Sequence, residues 1–351
     1  NRIPTLLAEL GVRQGMVQLR SEVEALVQAV EGAYLTLQAQ EGVLQIREDA
    51  VEVARLIHEE SMARERSRVE ILESRSALVE RQAALRQAVV DKEDAADELF
   101  RLTGLLGRED PGELELDPII IPEVDALDPV DSYILALENS AETLSERQRL
   151  QQLRLNLEQA RLANRPQLNA RGGVGAMGRD GDYSGALSGA GSADGRYWEA
   201  GLEFRVPWDR RVEKARVAQA ESRIRQEQLR IGDDRLDLFS RLRGVVRQIE
   251  LATMQIESAA LSLEVNQARF EEVQVRRELG QAILRDVLEA QRDLEEAALF
   301  LVSNRVTLLN NLLELRRLEG VLLPSRGITM EAPAAALPPI VQPGEEAPPN
   351  P

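Results

Sequence analysis

The sequence predicts a mainly α fold with a small β part: two long antiparallel helical hairpins, related as an internal repeat and joined through one β-hairpin. Three observations predict it. Ala, Leu, Glu, Arg and Gln dominate a chain of 351 residues that has 3% aromatics and no cysteine, a composition of long amphipathic helices and not of an aromatic-rich globular core. Apolar residues recur at helical spacing over most of the length, while two short stretches near the middle alternate with a period of two. The last hairpin overlays the first at a constant offset of 216 residues, which sets Gly104 on Gly320.

Residues 1–103 form the first hairpin. Val23, Leu26, Val27, Val30, Tyr34 and Leu37 trace one helical face, and Pro4 suits a first helical turn. The polar run Arg64-Glu65-Arg66-Ser67-Arg68 interrupts the apolar pattern, so a turn is expected there, followed by a return helix through Leu102. Gly104 and Gly107 are stop signals. Residues 104–130 change character: Pro111, Pro118, Pro122 and Pro129 mark an extended connector, with 118–122 laid against a neighbouring surface. Asp128 or Pro129 starts the next helix, which fills 131–165 until Asn164-Arg165-Pro166 ends it near Ala163.

The period then changes. Residues 166–207 read as a β-hairpin around a Gly/Ser/Asp-rich loop at 176–195, with Pro207 closing the second strand. Residues 208–320 form the second hairpin. Its first helix runs from about Arg211 to Leu279, about 100 Å at 1.5 Å per residue; Gly280 breaks it, and a shorter helix returns from Leu284 to Glu319. Residues 321–351 are rich in Pro, Ala and Glu and read as a disordered tail.

The repeat is clearest in the return helices. Ile71-Leu72-Glu73 falls on Val287-Leu288-Glu289, Leu78 on Leu294, Leu85 on Leu301 and Val90 on Val306. Glu98-Leu99 falls on Glu314-Leu315 and Arg101-Leu102 on Arg317-Leu318. Each arm is thus a long helix followed by a shorter one back, a duplication that belongs to an elongated architecture.

Several chemistries are excluded. A net charge of −17, with Lys92 and Lys214 the only lysines and arginines scattered among acids, excludes a nucleic-acid partner. With no cysteine and His58 the single histidine, Ser-His-Asp, Cys-His and zinc arrangements cannot be assembled. His58, between Ile57 and Glu59, is expected at a surface helical position. The glycines at 172–178 lack the Lys-Ser/Thr ending of a phosphate loop. No catalytic, cofactor-binding or metal-binding residues are expected, and no enzyme activity. Nor does any run approach 18 consecutive apolar residues, so no transmembrane helix is expected.

The strands carry the specific signal. Trp198, Ala200, Leu202, Phe204 and Val206 share one face, Glu199, Glu203 and Arg205 the other. An isolated two-stranded hairpin is marginal in water. A membrane barrel satisfies both faces, with lipid on one side, an aqueous lumen on the other and neighbouring strands to consume the backbone hydrogen bonds. Trp198 and Trp208 lie about 25 Å apart along the normal of a tilted strand, the height of an apolar belt. Parity assigns Asn169, Arg171, Glu199, Glu203 and Arg205 to the lumen and Trp198, Leu202, Phe204 and Val206 to lipid. Two strands cannot close a barrel, so oligomerisation is required.

Three stretches resemble the TolC-like outer-membrane efflux family (outer membrane factors). Gln159-Ala160-Arg161-Leu162-Ala163-Asn164-Arg165-Pro166 is similar to its passage from helix to strand. The run from Tyr197 to Pro207 is similar to its returning strand. Gly280 with Asp286-Val287-Leu288-Glu289-Ala290-Gln291 is similar to its periplasmic turn and return helix, with a fainter copy at Glu70-Ile71-Leu72-Glu73 and Arg64 in place of the glycine.

The resemblance implies a homotrimer whose β-barrel sits in outer-membrane lipid of a Gram-negative cell and whose helices form a periplasmic tunnel, an α-barrel. It implies a channel subunit of a tripartite efflux or type I secretion system that works with a periplasmic adaptor (membrane fusion) protein and an inner-membrane transporter. The tip that meets the adaptor and gates the tunnel falls on the turns near 64–67 and 278–282, with Arg277, Glu278, Leu279, Gly280, Gln281 and Asp286. Glu278 and Asp286 are read either as gating groups or as ordinary helix-end charges. Residues 104–130 would form an equatorial belt. The family has four strands per protomer, so a leading helix and strand pair are expected before Asn1. The rival readings are a soluble coiled-coil scaffold, which leaves the strand pair unexplained, and a periplasmic adaptor, which should show one hairpin and not two.

Overall fold

The computed structural model describes residues 2–64, 67–105, 116–117, 120–122, 127–176, 196–206 and 211–330. The described elements are α1 (Ile3–Ala63), α2 (Arg68–Thr103), α3 (Pro129–Asn139), α4 (Ala141–Ala163), β1 (Gln167–Ala176), β2 (Arg196–Arg205), α5 (Arg211–Glu278), α6 (Leu284–Glu319) and α7 (Leu322–Ser325). The chain divides into two units. One takes in the described residues of Asn1–Arg13 and Glu146–Asp233, the other those of Gln14–Ser145 and Asp234–Ala336.

The first unit holds the strand pair and the helical segments beside it. β1 and β2 are antiparallel, Gln167 opposite Arg205 and Ala176 opposite Arg196. At the helical side, Glu227 is buried and accepts from Arg230 at 2.7 Å, with Arg149 3.3 Å away. A buried carboxylate needs such partners, because an unpaired one would carry its full desolvation cost.

The second unit carries the repeat. α2 and α6 are each 36 residues long, and both of their ends differ by the same 216 positions. Both end in a left-handed glycine, Gly104 at φ 72° and Gly320 at φ 73°, whose N–H closes the last turn. One apolar cluster joins α3, α5 and α6 through Ala136, Leu238, Leu242, Val246, Ile249, Leu308, Leu315 and Leu318. Each buried Leu or Ile there contributes about 1.5–3 kcal/mol. Ile121 and Leu127 of the connector pack on it, and Gln38 and Tyr34 bond the backbone of Asp117 at 2.5 and 3.3 Å. Ile120, expected in the same contact, is exposed instead, and residues 118 and 119 lie outside the described residues.

Two expectations are corrected here. The helix expected to reach Ala163 from Pro129 is two helices, because Ser140 is extended (φ −65°, ψ 139°). Its amide ends α3 on Ala136 O at 3.0 Å, and its hydroxyl accepts from Thr143 N at 3.2 Å to cap α4. The segment expected to be structureless from 321 begins instead with α7, where Leu322 and Leu323 are buried and Arg326 bonds Glu31 through both of its carboxylate oxygens. Burial of the two leucines offsets the chain entropy that ordering this short turn costs.

Candidate functional site

The strand pair comes first. Its register sets Leu168 opposite Phe204, Ala170 opposite Leu202, Gly172 opposite Ala200 and Val174 opposite Trp198. On the alternate face Gln167 meets Arg205, Asn169 meets Glu203, Arg171 meets Gly201, Gly173 meets Glu199 and Gly175 meets Tyr197. The expected lumen set Asn169, Arg171, Glu199, Glu203 and Arg205 thus shares one face, and Trp198, Leu202 and Phe204 the other. Val174 is 89% exposed, Trp198 79% and Leu202 78%. Such a continuous apolar face demands a partner.

Two of the four strand glycines, Gly173 and Gly175, have a packing role that parity alone does not reveal. A Cβ on Gly175 would lie 2.5 Å from the Tyr197 ring, and one on Gly173 would lie 3.0 Å from the Glu199 carboxylate. They open space for the larger side chains opposite. β2 ends at Arg205, one residue short of the expected Val206, which is half-buried; the following proline has no N–H to extend the ladder. Trp208 and most of the 176–195 loop lie outside the described residues.

The second candidate region is the pair of hairpin turns. Gly280 at φ 71° ends α5, its N–H donating to Arg277 O at 3.0 Å while Gln281 N donates to Arg276 O at 2.8 Å. Asp286 accepts from Ile283 N at 3.1 Å, so its carboxylate caps α6. Arg277 is buried, with Nη2 3.4 Å from Ser61 Oγ and 3.8 Å from Glu60 Oε2. Glu278 and Leu279 are exposed and do not join this contact.

The residues that receive Arg277 were not singled out from the sequence. Ser61 and Arg277 occupy the same position in the two copies, 216 residues apart, so the repeat offset itself could have found them. His58 is corrected as well. It is half-buried, with Nδ1 2.9 Å from Ser74 Oγ. The Ser74 hydroxyl also lies 3.0 Å from Ile71 O, so it bridges the His58 ring and the α2 backbone. Below this, Ile57, Phe270, Leu284, Val287 and Ala290 form the apolar packing of the turn region.

Farther along, Glu295 is buried between Arg47, which bonds it directly, and Arg81, 3.8 Å away. Burial holds the Arg81 guanidinium below its ordinary value, outweighing the attraction of Glu295. Gln291, one turn earlier on α6, donates to Ala50 O at 3.0 Å. Among the described residues no helix is long and apolar enough to cross a membrane.

Helical hairpins closed by structural turns, attached to a strand pair with one apolar and one polar face, are the parts of a channel-forming protomer. Residues 133–321 match the outer membrane efflux protein family. This stretch is over half of the chain, and the chain belongs to that family. It is an outer-membrane efflux channel protein and not an enzyme.

Solved structures of the same fold include the Campylobacter jejuni CmeC outer membrane channel, with 17% identity and a TM-score of 0.76 over 92% of this chain and 68% of that one. The outer membrane protein VceC of Vibrio cholerae is 15% identical with a TM-score of 0.77, over 91% and 75%. The open-state MtrE outer membrane channel of Neisseria gonorrhoeae is 16% identical with a TM-score of 0.75, over 92% and 72%. No curated protein sequence matches the chain.

Proposed function

We propose that this chain is one protomer of a trimeric duct in the outer membrane of a Gram-negative cell, the exit channel of a tripartite efflux or type I secretion system. The carrying observation is the strand pair, which exposes Val174, Trp198, Leu202 and Phe204 on one face and aligns Asn169 with Glu203 on the other. Lipid would cover the first face and water the second, with strands of the other protomers completing the barrel. On this reading residues 1–103 and 208–320 are periplasmic hairpins, 104–130 an equatorial belt, 131–165 the helix leading to the barrel and 166–207 the membrane β-hairpin.

Asn169, Arg171, Glu199, Glu203 and Arg205 then line the barrel lumen. Arg277, Gly280 and Asp286 shape the turn that meets a periplasmic adaptor, and Glu278, Leu279 and Gln281 are the side chains free to touch it. Solutes delivered by an inner-membrane transporter pass without bond chemistry, selected by lumen charge and released when the tip opens.

The test is to express the full-length protein, fractionate membranes and record the detergent-extracted protein in a planar bilayer. An outer-membrane trimer that conducts ions is expected. A soluble, elongated, non-conducting protein would return the coiled-coil scaffold to first place.

A further inference from the structure

The polar face of the strand pair is built differently from its apolar face. On the apolar face large side chains oppose large ones, Leu168 against Phe204 and Val174 against Trp198. On the polar face the three pairs nearest the loop each contain one glycine: Arg171 with Gly201, Gly173 with Glu199 and Gly175 with Tyr197. No two bulky side chains meet there.

In two of these pairs the larger residue fills the place of the missing side chain. A Cβ on Gly175 would lie 2.5 Å from Cε1 and Cζ of Tyr197 and 2.6 Å from its hydroxyl, so the far end of the ring lies across that glycine. A Cβ on Gly173 would lie 3.0 Å from a Glu199 carboxylate oxygen and 3.1 Å from its Cγ. At Gly201 a Cβ would meet nothing within 4 Å, so Arg171 does not lean over its partner. Exposure follows the same division: Gly173 and Gly175 are half-buried, whereas Gly172 and Gly201 are exposed. Tyr197 is 51% exposed, against 79% for the neighbouring Trp198 on the other face.

Side chains on a strand ordinarily stand roughly perpendicular to the sheet. Tyr197 and Glu199 instead lean across the wall, a close approach that a residue without a Cβ permits. The tyrosine ring is the free end of a side chain with two rotatable bonds. A methyl group at position 175 therefore turns the ring away and leaves the strand in place. The displaced ring stands off the sheet. That matters wherever the polar face lines a lumen. About eight strands close a barrel whose interior side chains fill, and about sixteen leave an open channel. Between those limits, how far each lumen side chain stands off decides the free bore.

We propose that Tyr197 limits the size of solute that leaves the lumen, and that Gly175 is the positioning residue that keeps its ring against the wall, an inference that rests on the reading of the chain as one protomer of a duct. On that reading the loop end of the strand pair lies farthest from the periplasmic helices and is the exit. Gly173 does the same for Glu199 one pair deeper, with less displacement at stake because the contact there is looser. Discrimination at Tyr197 is by bulk, since neither the ring nor the glycine beneath it carries a charge.

The chain has no cysteine, which makes the test direct. Asn169→Cys in the full-length protein places one thiol on the polar face, nearer the helices than Tyr197. Intact cells are treated from outside with N-ethylmaleimide and with polyethylene-glycol maleimides of increasing length, and labelling is read as a mass shift. Gly175→Ala should lower the largest reagent that reaches the thiol, and Tyr197→Ala added to it should restore the original limit. Gly201→Ala and Gly172→Ala, where a Cβ meets nothing within 4 Å, should leave the limit unchanged. Gly173→Ala should lower it by less, and it carries the test if Gly175→Ala does not reach the membrane. An unchanged limit in the Gly175 and Gly173 variants, an equal fall in Gly201→Ala, or a double variant that is not restored would each overturn the proposal and leave the duct standing. A thiol that N-ethylmaleimide reaches only after the cells are broken would refute the duct itself.

Discussion

The first and second hairpins end their return helices at the same point of the repeat, but Gly104 and Gly320 answer to different demands. Both adopt the left-handed backbone, at φ 72° and 73°. A Cβ on Gly104 would meet nothing within 4 Å, whereas one on Gly320 would lie 2.5 Å from the backbone carbonyl of Asn139. The second copy has been fitted against the break between α3 and α4, and its carbonyl also accepts from Arg20 at 2.7 Å. The first copy keeps only the cap.

The same contrast recurs along the two helices. Glu98 with Arg101 and Glu314 with Arg317 are one ion pair duplicated, each bidentate. In the first copy it is exposed. In the second, burial would raise the Glu314 carboxyl, but hydrogen bonds from Arg317 and Gln28 bring it below the usual range. Val79 is exposed where its counterpart Glu295 is buried between two arginines. A duplicated helix can therefore preserve its backbone and its surface pairs while its two copies exchange which face is buried.

The largest expected effect breaks this asymmetry at Glu295. Glu295→Ala leaves Arg47 and Arg81 facing each other without a carboxylate and should cost about 3–5 kcal/mol, read as a fall in the denaturant midpoint. Next is Gly320→Ala. The left-handed backbone and the collision with Asn139 together should cost about 2–5 kcal/mol. Gly104→Ala meets the same backbone demand in open space and should cost about 1 kcal/mol; equal losses at the two glycines would refute the difference in packing.

The smallest effect concerns pH. Burial pushes the Glu319 carboxyl above its ordinary value, although a Ser132 hydrogen bond and Arg316 oppose it. A carboxyl raised on folding binds its proton more tightly in the folded state, so its contribution is favourable at low pH and is lost as pH rises through the folded value. Glu319→Gln should therefore raise the unfolding midpoint slightly at pH 7, with the gain vanishing below about pH 4. At the equivalent position the first copy has Thr103, whose hydroxyl returns to Leu99 O at 2.8 Å, so Thr103→Val should show no such pH dependence.

By itself the sequence determined the elements whose signals are local. The polar run around Ser67, the glycines at 104, 280 and 320, Pro129 after Asp128 and the period-two alternation around Trp198 each act within a few residues of backbone, and each is where it was expected. The alternation also determined which strand residues share a face, because pairing cannot change parity. The tertiary structure alone decided which polar residues are buried. Ser140 sits in a stretch of good helix formers, and only packing against Gly320 reveals the break it makes. His58, Ser61, Arg277 and Glu295 look like ordinary polar positions on amphipathic helices. Their burial depends on how one helix is rotated against another, and that rotation is set by contacts between residues far apart in the chain, such as Arg47 and Glu295, 248 positions apart. No local window of sequence contains that information.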